Sequence, residues 1–422
     1  MLVAARTPSY RPGPTPVMSL LLRIFPAYAA GYFLSYLLRN SNAVLAPELT
    51  RELGLSSAQL GLLTSAYLLA FGAFQLPLGI LLDRYGPRRV DAALLLVSAA
   101  GSALFGLGDG LPQLVLARAA IGLGASASLM SAFKAFTLWF PVERQTSLNA
   151  AVMVMGSLGA LSATTPLSMA APLLGWRGVF LALGGLSLAT AVAILATPER
   201  ERARSSETLG QQLVALRGVV GSRVFWRYAP PTALFIGGFL ALQGLWAVPW
   251  LMQAGGRNRE EAAFHLLLTT TAMALGFLLV ALFIGALQRR GVRPEQVLVA
   301  GMAVGLVVML AMVLGVGPSH LLWFMLGLSF SVANLVYALL TSRFPPELAG
   351  RASTALNLGT FSGAFLVQWG YGVALDALTA RGWATADAHR AVLGALLVLQ
   401  AASFAWFLRG GRERGAVSRA AG

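Results

Sequence analysis

The sequence predicts an all-α membrane protein: twelve transmembrane helices arranged as two six-helix, pseudo-symmetric halves. Three observations carry that prediction. Of 422 residues, 57% are hydrophobic and only 11% are charged, whereas soluble domains carry about a quarter charged residues. Apolar runs of about twenty residues recur along the chain, the length a helix needs to cross a hydrocarbon core of about 30 Å. Two sequence patterns also occur twice, close to half a chain apart. A membrane β-barrel would need stretches of about ten residues alternating in polarity, and that period is absent.

The elements follow in order. Residues 1–19 hold Arg6, Arg11 and four prolines, with no short apolar stretch and small-residue cleavage site after them. They read as a cytoplasmic tail rather than a signal peptide. Spans are expected at 20–47, 58–82, 90–108, 113–138, 146–172 and 178–197, giving an N-terminal bundle over 20–197. The polar stretch 198–227 reads as a cytoplasmic linker with a weakly amphipathic segment near Gln211–Val220. Spans at 228–253, 262–287, 296–315, 321–341, 352–375 and 390–408 make a C-terminal bundle over 228–408, and 409–422 a cytoplasmic tail.

The net charge of +15 comes from 31 basic residues, all Arg except Lys134. They sit in the breaks between apolar runs rather than along one stripe, which argues against a nucleic-acid partner. With the N-terminus inside, 22 arginines fall in inside segments and six in outside loops, namely Arg51, Arg177, Arg257, Arg259, Arg381 and Arg390. The positive-inside rule then places both termini in the cytoplasm, with a bacterial inner membrane as the setting. Cysteine is absent, so neither disulfides nor thiolate metal sites are available.

GILLDRYGPRR (Gly79 to Arg89) follows the second span, and GALQRRGVR (Gly285 to Arg293) follows the eighth. WFPVERQTSLN follows the fourth and RFPPELAGRASTALN the tenth. The offsets are 206 and 204 residues, which indicates a duplicated six-helix unit with a binding site between the halves near mid-membrane.

These motifs resemble those of the major facilitator superfamily. GILLDRYGPRR matches its loop between helices 2 and 3 nearly letter for letter, and LARAAIGLGAS, with Arg118, Gly122 and Gly124, is similar to its helix-4 motif. The second loop copy is degenerate, with Gln288 where the first has Asp83. The resemblance implies a secondary transporter working by alternating access. Gly79, Asp83, Arg84, Gly86 and Arg88 would then form a conformational gate, with Asp83 locking the cytoplasmic ends of helices 2 and 11 in the outward-open state, and Arg118 would have a conformational or proton-linked role. Read without the family, the loop is a tight basic turn held at the anionic leaflet, with Asp83 an incidental acid.

Ionisable residues inside spans are the strongest site pointers, because an Arg at the bilayer centre costs about 2.5–3.5 kcal/mol on insertion scales. Arg39, Arg118 and Lys134 qualify, while all 16 acids are expected in loops or at span ends, Asp83, Asp91 and Asp376 lying nearest the membrane. Tyr32, Tyr36 and Arg39 share a helix face. Arg39 is read either as a structural cation snorkelling outward or bonded to carbonyls, or as an anion-binding group in a central cavity. YLLRNSNAVLAPEL resembles helix 1 of organic-anion and organophosphate members, whose Arg there binds substrate. The matching face of helix 7 holds Phe239, Gln243, Trp246 and Trp250, with no second Arg. A phosphate dianion would favour two guanidinium forks, so one Arg suits a monoanion. Lys134, Asn334, Tyr337, Gln368 and Trp369 are further lining candidates, with packing roles as the alternative. His320 and His389 read as loop residues, and His265 as a candidate for protonation.

The expected function is proton-coupled import of a small organic anion, a carboxylate or amino-acid-like metabolite, by a monomer in the bilayer, with no cofactor and no metal. The alternatives are an exporter of a neutral or anionic compound, or a transport-inactive ligand sensor. Helix 5 lacks a Gly-Pro pair and no acid is expected in the cavity, which argues against a cationic-drug exporter. No triad, metal cluster or phosphate-cradling loop points to an enzyme.

Overall fold

The computed structural model describes residues 17–199 and 209–420. Most of the expected N-terminal tail and part of the linker lie outside the described residues. The chain is a succession of long helices. Helix α1 is Val17–Leu53 and carries Pro26 and Pro47. Helix α2, Ser57–Tyr85, opens with a capping box in which Ser56 and Gln59 satisfy each other's backbone N–H groups. It stops at Gly86, whose φ of 84° suits glycine. Pro87, with no N–H to lose, then starts α3, Pro87–Gly106.

Helix α4, Leu111–Trp139, is interrupted at Ser126–Ala127. Val142–Ser162 and Thr165–Leu195 follow, and Gly175 (φ 64°, ψ 166°) breaks the second of these. Residues 142–174 are therefore treated as α5 and 176–195 as α6. After a linker helix, Leu209–Val220, come α7 (Arg223–Gln253), α8 (Arg259–Arg289), α9 (Pro294–Leu314) and α10 (Ser319–Thr341). The last two are α11, Pro346–Thr379, and α12, Thr385–Ala420. Ten helices among the described residues are long and apolar enough to cross a membrane. Val142–Ser162 and Pro346–Thr379 are not among them.

The repeat seen in the sequence has structural echoes. The Asn42 amide donates to Thr64 Oγ1 between α1 and α2 at 3.2 Å, and the Gln243 amide donates to Thr270 Oγ1 between α7 and α8 at 3.1 Å. Thr64 and Thr270 are 206 residues apart. Helices α4 and α10 are both broken, at Ser126–Ala127 and at Asn334. Regularity ends at α7, which contains two π-helical turns, Thr232–Ile236 and Leu242–Trp246.

The halves meet tightly along α2 and α11. A Cβ on Gly61 would lie 2.8 Å from the Gln368 carbonyl oxygen, and one on Gly372 would lie 2.2 Å from that of Ser57. Asp376 of α11 accepts from the backbone N–H groups of Ser57 and Ala58 at 2.9 and 2.8 Å, capping α2 from the other half. Arg259 of α8 pairs with Glu48 of α1 at the same end. At the opposite end the ion pairs Lys134–Asp83, Arg88–Glu199, Arg89–Glu199, Arg227–Glu295 and Arg343–Glu295 each join residues of one half. The bundle is thus fastened across the halves at the Glu48–Asp376 end.

Candidate functional site

A cavity of about 330 Å³ lies between the halves, a volume suited to a small molecule. Tyr32, Ser35, Tyr36 and Arg39 of α1, Phe71 and Gln75 of α2, and Ser126 at the break in α4 line it from the N-terminal half. Ile236 and Leu240 of α7, Asn334 and Tyr337 of α10, and Asn357, Thr360 and Phe361 of α11 line it from the C-terminal half.

Arg39 is the charged residue of this lining, and its side chain is only 9% exposed. Its guanidinium carbon lies 4.6 Å from the Tyr36 ring centre, 4.7 Å from that of Phe71 and 5.6 Å from that of Phe361. Ring faces are negative, so this cage tolerates a cation, and the Tyr67 hydroxyl is a hydrogen-bond partner of the guanidinium. Arg39 Nε has no hydrogen-bond partner. A planar guanidinium fork in an aromatic-lined cavity without a carboxylate has the geometry that pairs bidentately with anions.

Arg118 is fully buried behind this site. It donates to the carbonyls of Leu38 and Arg39 at 2.9 and 3.3 Å, with its guanidinium carbon 5.0 Å from the Tyr67 ring centre. These bonds tie α4 to the α1 backbone at Leu38 and Arg39. The break in α4 frees backbone carbonyls, and side chains satisfy them: Ser35 Oγ donates to Ala125 O at 3.0 Å and Gln75 Nε2 to Ser126 O at 3.1 Å. Irregular backbone at membrane depth is tolerated where it is satisfied in this way or lines a cavity. On the opposite wall, Tyr337 OH lies 2.9 Å from both Asn357 Oδ1 and Thr360 Oγ1. That wall is polar but uncharged.

Of the residues singled out in the sequence, the structure brings Tyr32, Tyr36, Arg39, Asn334 and Tyr337 together in the cavity lining. It places the others elsewhere. Lys134 pairs with Asp83. Gln243 is held by Thr270, and Trp246 Nε1 donates to the Gln368 carbonyl at 2.8 Å while its ring stacks on Tyr371. Gln368 is fully buried with both amide atoms unpartnered. The π-turns of α7 explain the shift on that helix, since each rotates the face that follows it, and Ile236 and Leu240 reach the cavity instead. In the loop, Gly86 makes the turn, Arg88 donates to Leu195 O at 2.9 Å, and Gly79 and Arg84 are exposed.

The histidine expectations are corrected. His389 is not in a loop: α12 begins at Thr385, and the ring is buried between Tyr371 OH at 3.0 Å and Gln253 Oε1 at 2.8 Å. His320 lies on the opening turn of α10, where it is exposed. Asp91 lies at a span end, on the opening turns of α3, with its carboxyl fully buried against α4. Gln75, Asn357 and Thr360 were missed. The signal for the last two was the polar content of TALNLGT within a span.

Residues 28–368 match the family profile of the Major Facilitator Superfamily. The chain belongs to that superfamily. This facilitator is 31% identical over 157 residues to a probable sulfoacetate transporter from Cupriavidus necator, covering 37% of this chain and 36% of that protein. It is 29% identical over 263 residues to a probable L-galactonate transporter from Escherichia coli strain K12, covering 60% and 56%. The matches thus span between about a third and somewhat over half of these relatives' lengths. Among solved structures, a bacterial homologue of the human lysosomal transporter Spinster, inward-facing and occupied, superposes with a TM-score of 0.75 at 17% identity, covering 95% of this facilitator and 98% of that chain. That likeness establishes the fold. The chain is a multi-pass helical protein of that superfamily.

Proposed function

We propose that this facilitator imports a small organic monoanion, a carboxylate bearing hydroxyl groups, together with a proton across a bacterial inner membrane. The observation that carries the reading is Arg39, a cavity guanidinium ringed by aromatic faces with Nε unpartnered. The carboxylate pairs with Arg39, and the hydroxyls meet Asn334, Tyr337, Asn357 and Thr360 across a gap of suitable volume. The relatives named for L-galactonate and sulfoacetate support an organic anion as cargo. With both termini in the cytoplasm, the Glu48–Asp376 end faces outward and is shut, and the cavity serves the inside. Closing the inner ends then requires Asp83 to leave Lys134 and engage the opposite half, the gate role proposed for the loop Gly79–Arg89.

The test is uptake of labelled L-galactonate and sulfoacetate into proteoliposomes, with the outside more acidic than the inside. Saturable uptake of L-galactonate, accelerated by the gradient and abolished in Arg39→Ala, is expected, with sulfoacetate, a dianion without hydroxyls, the poorer substrate. If no anion in a wider panel of carboxylates and sulfonates moves while neutral compounds do, the reading fails.

A further inference from the structure

The N-terminal half contains a buried acid that the cavity does not use. Asp91, on the second turn of α3, is fully buried. Its Oδ1 accepts from Ser128 Oγ at 3.1 Å, and its Oδ2 has no hydrogen-bond partner. Ser128 begins the second segment of the broken α4, directly after residues Ala125 and Ser126 of the cavity wall. Gly31 of α1 completes the pocket: a Cβ there would lie 3.4 Å from Ser128 Oγ and 3.7 Å from Asp91 Oδ2.

The charged groups on the surrounding elements are engaged elsewhere. Arg88 and Arg89 on α3 bond Glu199, Lys134 on α4 and Asp83 on α2 bond each other, and Arg118 on α4 bonds the α1 carbonyls. The ionisable side chains that α1 contributes on either side of Gly31 are Tyr28 and Tyr32, and α6 carries only Arg177, at its far end. An ionised carboxylate with one hydroxyl donor and no cation would be strongly disfavoured in such a place, whereas the neutral acid is tolerated.

We infer that Asp91 is a proton-binding site, neutral in the conformation seen here, which exchanges its proton when the break in α4 shifts and admits water. Ionisation is then supported by the N-terminus of the α4 segment beginning at Ser128, whose dipole favours negative charge. Because the sealed conformation holds the proton more tightly, acid favours it and base favours the alternative. One proton binds and leaves per cycle, with no bond other than O–H made or broken. The inference gives the conformational equilibrium a proton-linked residue, and it rests on the alternating access of the proposed function rather than on the identity of the cargo.

The chain has no cysteine, so spin labels can be placed by substitution alone. Arg51→Cys and Glu260→Cys put one exposed label on each half at the fastened end. Electron–electron distance measurements on the full chain in liposomes, without substrate, report the separated population from pH 5 to 9. That population should rise with pH in the labelled parent and stay low at every pH in Asp91→Asn. Ser128→Ala keeps the acid but removes its donor, and should retain the response with a displaced midpoint. A parent distribution indifferent to pH overturns the inference, as does an Asp91→Asn protein that titrates like the parent. If Asp91→Asn does not fold, an unmoved midpoint in Ser128→Ala overturns it. Failure to take up L-galactonate or sulfoacetate would bear on the cargo and leave this measurement unaffected.

Discussion

The two halves share a helical plan but divide the chemistry unequally. The N-terminal half holds the cavity cation Arg39, the buried Arg118 and the buried Asp91. The C-terminal half faces the same cavity with Asn334, Tyr337, Asn357 and Thr360, none of them charged. The two scaffolds are alike in plan, but among the described residues the buried Arg and Asp side chains lie in the N-terminal one. On the proposed reading, one wall would fix the charge of the cargo while the other would read its shape and hydroxyls.

The sharpest way to break this division is to remove the cation. Truncating one partner of a buried charge pair costs about 2–5 kcal/mol, so Arg39→Ala should weaken L-galactonate or sulfoacetate binding by roughly 30-fold or more, and Arg39→Lys should restore only part of it. Equilibrium binding to purified protein measures both, and unchanged affinity would end the charge-selecting role.

The next effect is indirect. Arg118→Ala removes two charge-assisted hydrogen bonds to the α1 backbone, each worth about 1.5–3 kcal/mol. Thermal stability should fall by several degrees, and affinity should fall with it because Arg39 is no longer held in place. Loss of stability with affinity intact would confine Arg118 to packing.

On the neutral wall the effects are smaller. Asn357→Ala and Tyr337→Phe disturb hydrogen bonds worth about 0.5–1.5 kcal/mol, which corresponds to a roughly two- to twelvefold loss for the hydroxylated L-galactonate. Sulfoacetate, which has no hydroxyls, should be nearly indifferent. Equal losses for both anions would mean that the wall does not discriminate.

The smallest change concerns the fastened end. Asp376→Asn weakens a cap across the halves, an interaction of about 1 kcal/mol, and should raise the separated population at that end about fivefold in the spin-label measurement.

Much of this was legible in the chain. Hydropathy and the loop GILLDRYGPRR gave the superfamily, and Arg39 was visible because a guanidinium inside an apolar run is costly. Tyr32 and Tyr36 followed from helical spacing. The errors have physical causes. The orientation of α7 was hidden because its π-turns leave no mark in hydrophobic periodicity, so Gln243 and Trp246 were assigned to a face they do not present. His389 was placed in a loop because it precedes an apolar run, yet α12 begins five residues earlier than hydropathy suggests; Asp91 was placed at a span end, where its burial was not visible. Burial there depends on what a neighbouring helix brings, as Gly31 does for Asp91, and that is tertiary information.

The glycine contacts between α2 and α11 have a further consequence. A barrier made of side chains can fail piecemeal, as one rotamer swings aside and a file of water slips past. At Gly61 and Gly372 the barrier is backbone against backbone, with less room than a methyl group needs, so it parts only when two whole helices separate. Such a junction should be electrically quiet. Vesicles containing the resting carrier ought to hold an imposed ion gradient as well as empty ones, and bulk added at either glycine should make them leak.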